Sequence, residues 1–264
     1  MRNIKIELEY DGTEFAGWQR QPNGAGVQEA VEDAAAAVLG HAVSLVGAGR
    51  TDRGVHAVGQ AANFRTERRI PVERIPYALN AHLPPAIRVR AAADMPPEFH
   101  ALRNATGKHY RYTLFSGDIA PAIGRRYAAV VPPGLMLEPM VQAAAHMEGA
   151  YDVRAFRSFA KGQEGSNTLK TVWRVLVRSD GPYFFVDVLG SGFVYTQMRT
   201  MAGTLLLAGR GRLVPSDVAA IIASRDRRRA GPTLPPEGLC LIKVFYDPEP
   251  AAWYVPAAPR GWMA

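Results

Sequence analysis

The residues best equipped for chemistry lie in one run, Gly47-Ala48-Gly49-Arg50-Thr51-Asp52-Arg53-Gly54-Val55-His56-Ala57. A single carboxylate, Asp52, stands between two arginines and among three glycines. Glycine lets the main chain bend sharply and approach a ligand closely, and flanking cations favour the ionised acid. That is the composition of a loop presenting a carboxylate anion to a bound molecule. The same letters suit a tight turn whose aspartate caps its own backbone. The residues alone leave both readings open.

Other chemistries have less support. No G-x-x-x-x-G-K-[ST] phosphate loop occurs, and neither Gly47-Ala48-Gly49 nor Gly209-Arg210-Gly211 is completed to a dinucleotide fingerprint. The six histidines show no H-x-x-x-H spacing and the lone Cys240 has no second cysteine, so no metal site is expected. Cys240 sits in the apolar run Leu239 to Val244 and reads as an inert, buried thiol of a reducing compartment. The charged start Met1-Arg2-Asn3-Ile4-Lys5 lacks the apolar core of a signal peptide, and no apolar stretch nears the roughly 20 residues of a bilayer span. A cytoplasmic protein without a membrane partner is expected.

The net charge is +7, and 26 of the 31 basic residues are arginines, whose planar fork grips phosphate and stacks on bases. Coding bias produces the same composition, so charge alone does not choose nucleic acid as the partner. The run Arg225-Asp226-Arg227-Arg228-Arg229 reads equally well as a solvated helix end.

The elements that must position Asp52 follow from periodicity. Ile4, Ile6, Leu8 and Tyr10 alternate with polar residues as in a strand buried on one face, and Val27, Ala30, Val31, Ala34 and Val38 recur at helical spacing before Gly40. Short strands at Val43–Val46 and Val58–Phe64, a helical segment Glu73–Asn80 and a strand Ile87–Ala91 complete a β-α-β-β-α-β order. The order recurs in a strand His109–Phe115, a helix Glu138–Glu148 and strands Thr171–Val177 and Tyr183–Leu189. Helices Phe193–Ala208 and Pro215–Ser224 and a strand Leu239–Tyr246 follow. The expected fold is α+β: two ferredoxin-like, RRM-like halves with mainly antiparallel sheets packed side by side, residues 1–103 and 104–247, then a Pro-rich tail 248–264 without regular structure. Ligands are expected in the cleft between two such halves.

The run around Asp52 resembles the active-site motif G-R-T-D-x-G-V-H-A of the TruA family of tRNA pseudouridine synthases. Tyr10-Asp11-Gly12-Thr13-Glu14-Phe15-Ala16-Gly17-Trp18-Gln19-Arg20-Gln21, with Val27-Gln28 next, resembles that family's N-terminal motif. Phe99-His100-Ala101 with Lys108-His109-Tyr110-Arg111-Tyr112, the helix segment Phe193-Val194-Tyr195 to Met198-Arg199 and Met201-Ala202-Gly203, and Gly231-Pro232-Thr233 to Gly238-Leu239 resemble three more. Five ordered motifs span residues 4 to 246. The resemblance implies isomerisation of uridine in the anticodon stem-loop of tRNA, without cofactor or metal, by a homodimer. It implies Asp52 as the catalytic carboxylate and Arg199 as its charge partner. Tyr110 would stack on the target base, Leu239 would form an apolar wall, and Arg50 would help extrude the uridine.

Without the resemblance, Tyr110 reads as a core aromatic, while Arg199 on an apolar helix demands a partner. Phe193 and Tyr195 read as packing residues. The chain departs from the family pattern at Leu102, Thr196, Met198 and Thr200. Two other readings compete with the synthase: a non-catalytic RNA-binding or RNA-folding protein on the same scaffold, and a nuclease. The nuclease lacks further carboxylates at metal-ligand spacing.

Overall fold

The structure, a computed structural model, describes residues 1–20, 24–158 and 167–258. Gln21 of the N-terminal motif and most of the loop between Phe159 and Leu169 lie outside the described residues. The chain divides into two units, Met1–Ala105 with Cys240–Tyr246, and Thr106–Leu239 with Asp247–Ala264.

In the first unit, β1 (Arg2–Tyr10) buries Ile4, Ile6, Leu8 and Tyr10 and exposes Glu7, as its alternation predicts. α1 (Val27–Leu39) buries Val27, Val31, Ala34, Ala35 and Leu39, and Gly40 ends it in a left-handed conformation that returns its N–H to the Ala36 carbonyl. β2 is only Val46–Gly47. The longer strand expected at Val43–Val46 fails because helix side chains claim its backbone: Glu32 accepts the Leu45 N–H at 2.9 Å and Gln28 donates to the Leu45 carbonyl at 3.1 Å. β3 (His56–Thr66), a 3-10 turn at Val72–Arg74, α2 (Ile75–Asn80) and β4 (Ile87–Met95) follow. β1 lies between β3 and β4, antiparallel to both, and β2 pairs antiparallel with β3.

In the second unit, β5 (Gly107–Ser116) carries β6 (Ala129–Val131) parallel to its last residues. α3 (Leu137–Ala145) and β7 (Gly149–Asp152) lead to a hairpin of β8 (Leu169–Asp180) and β9 (Tyr183–Gly190), turned at Gly181. The antiparallel order is β5-β9-β8-β7. α4 (Gln197–Gly209) starts four residues later than its periodicity predicts, because Thr196 is left-handed at φ 59° and its hydroxyl donates to Ser158 Oγ at 2.8 Å. That leaves Phe193 outside the helix. α5 (Asp217–Ser224) follows.

The last strand, β10 (Leu239–Phe245), begins in the second unit and continues in the first, parallel to β3 through Cys240–His56 and Leu241–Ala57. Cys240 is half-buried rather than buried. The tail expected to lack regular structure forms one helical turn, α6 (Pro250–Trp253), because Glu249 turns left-handed before Pro250.

Candidate active site

The loop carrying Asp52 joins β2 to β3 and is fixed by its main chain. The Trp18 N–H donates to the Thr51 carbonyl at 3.0 Å, the Thr51 and Tyr10 hydroxyls bond at 2.8 Å, and Gln60 donates to the Gly49 carbonyl at 2.9 Å. The Val55 N–H closes a turn onto the Asp52 carbonyl at 3.1 Å, with Gly54 left-handed at φ 77°. Turn closure therefore runs through the backbone carbonyl of Asp52. Asp52 is half-buried, whereas Arg50 and Arg53 are exposed. His56, buried at the start of β3, receives the Gly12 N–H on Nδ1 at 3.1 Å, and the same nitrogen lies 3.3 Å from Asp11 Oδ1.

The glycines of the N-terminal motif serve this loop. A Cβ on Gly12 would stand 2.0 Å from the Val55 carbonyl oxygen, and one on Gly17, at φ 115°, would stand 2.8 Å from that of Thr51. Tyr10 and Trp18 pack near each other, with ring centroids 6.1 Å apart, and burial raises the Tyr10 phenol well above its ordinary pKa. A motif some forty residues upstream thus builds the seat of Asp52.

Three further expected residues lie in the second unit, on three different elements. Tyr110 on β5 is buried, with its ring edge-on to Phe193, centroids 5.0 Å apart and planes at 76°. Phe193 is therefore a packing residue as expected, whereas Tyr195, also expected to pack, is exposed. Arg199, in the first turn of α4, donates from Nε to the Leu234 carbonyl at 2.6 Å, and its own carbonyl accepts the Leu234 N–H at 3.3 Å. Leu239 is buried at the start of β10.

The segment from Gly231 to Leu234 is strapped onto α4. A Cβ on Gly203 would stand 1.9 Å from the Pro232 carbonyl oxygen, the Gly231 N–H donates to Thr204 at 2.9 Å, and Thr200 and Thr233 hydroxyls meet at 3.2 Å. Two departures from the family pattern, Thr196 and Thr200, so have local partners. Leu102 is exposed in a turn, and nothing in the structure explains that departure. Arg227, from the basic run read as solvated, is partly buried and donates to the Gly231 carbonyl and the Thr233 hydroxyl at 2.9 and 2.7 Å. Arg228 leans on Asp226 in the open.

Sequence reasoning missed a charged cluster on the other face of β5. Asp187 of β9, fully buried, accepts from His109 Nε2 at 2.7 Å, Arg111 Nε at 2.8 Å and Arg178 Nη2 at 2.6 Å. Burial pushes the Asp187 carboxyl upward, but His109 and Arg111 outweigh it and hold it below the ordinary carboxylate value. Burial pushes His109 downward despite Asp187, so the ring is neutral and donates from Nε2 while Nδ1 accepts from the Tyr254 hydroxyl at 3.1 Å. Arg111 and Arg178 also donate to the Ala257 carbonyl at 2.8 and 3.1 Å. Parity was the available signal, since His109 and Arg111 alternate with Tyr110 and Tyr112, and Asp187 interrupts an apolar strand.

Among the described residues no three His, Cys, Asp or Glu side chains converge as a metal site, and no helix is long and apolar enough to cross a membrane.

A family model described as tRNA pseudouridine synthase matches residues 8–102 and 143–247. The chain is 46% identical over 246 residues to the tRNA pseudouridine synthase A of Geobacter sulfurreducens, covering 93% of this chain and all of that protein. It is 40% identical over 246 residues to the protein of the same name from Caldicellulosiruptor bescii, with the same coverage.

Proposed function

The chain belongs to the tRNA pseudouridine synthase family, a family of isomerases, and from that premise we propose that it converts uridine to pseudouridine in the anticodon stem-loop of tRNA, with Asp52 as the catalytic carboxylate. The N1–C1′ bond breaks with its electron pair left on N1, the freed uracil turns, a C5–C1′ bond forms, the C5 proton leaves to solvent and N1 takes up a proton in its place. Bonds and electrons balance within one nucleotide, so no oxidant or nucleotide cofactor enters. Asp52 serves as nucleophile at the sugar or as the anion that supports glycosidic cleavage.

Arg199 supplies the cation that keeps Asp52 ionised, Tyr110 stacks on the base, Leu239 walls it on an apolar side, and Arg50 helps extrude the nucleotide. Phe193 supports this role for Tyr110 by fixing the plane of its ring. In the first unit the antiparallel pairings β4-β1, β1-β3 and β3-β2 support the reading of a ferredoxin-like half, to which β10 adds a parallel strand, and β5-α3-β8-β9-α4 extends it to the second. A homodimer working in the cytoplasm completes the proposal, because one subunit offers limited surface to a tRNA.

The observation that carries the reading is the mounting of Asp52. The loop from Gly49 to Val55 is held by hydrogen bonds from Trp18, Tyr10 and Gln60, so the main chain that carries the carboxylate is fixed before substrate arrives. The test follows tritium released to water from tRNA labelled at uridine C5. The wild type releases it, and Asp52→Asn lowers the rate by about 10³-fold or more with tRNA binding and thermal midpoint retained. Release unchanged in Asp52→Asn would remove that residue from the chemistry. Tight tRNA binding with no release by the wild type would leave only an RNA-binding protein.

A further inference from the structure

Lys108 and Tyr110 stand two residues apart on β5 and so face the same side of the sheet. Lys108 pairs with Gly190 of β9, which also pairs with Val172 of β8. From there the chain turns through Ser191, whose N–H donates to the Thr171 carbonyl and whose Oγ accepts the Thr171 N–H, to Gly192 and Phe193. A Cβ on Gly190 would stand 3.4 Å from the Phe193 ring, and one on Gly192 would stand 3.8 Å from Lys170 Nζ. Phe193 in turn meets Tyr110. Lys108, Lys170, Phe193 and Tyr110 therefore share one neighbourhood.

Both lysines are partly buried, and neither has a hydrogen-bond or ion-pair partner among the described residues. Lys5, by contrast, leans on Glu7 at 2.8 Å. Burial, and after it the charge of Lys170, brings the Lys108 ammonium down to about 8. Two neighbouring cations without an anion weaken the fold that holds them. A bound anion would turn that repulsion into attraction.

We propose that Lys108 and Lys170 form the seat of an RNA phosphodiester next to the uridine that stacks on Tyr110. The inference rests on the synthase reading above. An extruded nucleotide carries its phosphates with it, and two strand positions span about 7 Å, comparable to the reach from a nucleobase to its own phosphate. Lys108 and Lys170 are binding residues in this scheme and take no part in bond making.

The experiment measures binding of an unmodified tRNA transcript from 50 to 300 mM NaCl for the wild type, Lys108→Met, Lys170→Met and Lys108→Arg, with Lys5→Met as control. Tritium release is followed in parallel. Each methionine variant of the pair is expected to lose about tenfold in affinity and about one unit of the log–log salt slope, with KM raised and kcat kept. Lys108→Arg should recover most of the slope, and Lys5→Met should match the wild type. A merely structural lysine would move the thermal midpoint without moving the salt slope. Wild-type tritium release with unaltered salt slopes in both methionine variants would overturn the phosphate seat alone. No release by the wild type would overturn the synthase reading and this inference with it.

Discussion

The two faces of β5 hold charge in opposite ways. On one face His109 and Arg111 meet Asp187, Arg178 and the carbonyl of Ala257, and the cationic side chains find acceptors. On the other, Lys108 and Lys170 lie close together, and among the described residues neither has an acid as partner. The paired cluster is self-sufficient and marks structure, because a buried carboxylate with three donors satisfies itself. The unpaired cations weaken the fold in isolation and acquire a purpose when a phosphate arrives.

The largest effect that would sharpen this contrast is removal of the central anion. Asp187→Asn leaves Arg111 and Arg178 without their counter-charge and should cost about 3–5 kcal/mol, read as a fall in the urea midpoint. A loss under about 1 kcal/mol would show that the cluster is not held by its charge.

Lys108→Met should act in the opposite direction, stabilising the fold by roughly 1–3 kcal/mol at pH 7, since about 1.4 kcal/mol corresponds to each pKa unit. The sign follows from proton binding. The folded-state Lys108 pKa of about 8 lies below its ordinary 10.5, so between those values the unfolded chain holds more protons and stability rises with pH. Below pH 8 the penalty is fully present, and above pH 10.5 it is gone. The gap between Lys108→Met and the wild type should therefore close between pH 8 and 10.5, and a gap independent of pH would break the contrast.

The smallest effect is expected from truncation after Asp247. It removes the Ala257 acceptor of Arg111 and Arg178 and the Tyr254 hydroxyl on His109, but admits water to replace them. A loss of about 1–2 kcal/mol is expected, with tritium release unchanged. Loss of release at full stability would give the tail a part in function beyond supporting the Asp187 cluster.

Much of the candidate site was legible because its signals are local. The Asp52 run declares its glycines and flanking cations within eleven letters. β1 and α1 declare their buried faces through periods of 2 and 3.6. The late start of α4 was not legible, because Thr196 is diverted by Ser158, 38 residues away in sequence. The lysine pair was equally hidden. Lys108 and Lys170 are 62 positions apart and meet only once β5, β9 and β8 are in register.

The sequence by itself determined the element types, the family and the candidate residues, because periodicity and compact motifs are properties of neighbouring letters. Tertiary structure alone decided that Gly12 and Gly17 seat the Asp52 loop and that Asp187 gathers three donors. It also decided that two lysines stand together with no acid paired to either among the described residues. Those are properties of distance and burial, and the energy of a charge depends on what surrounds it rather than on its place in the chain.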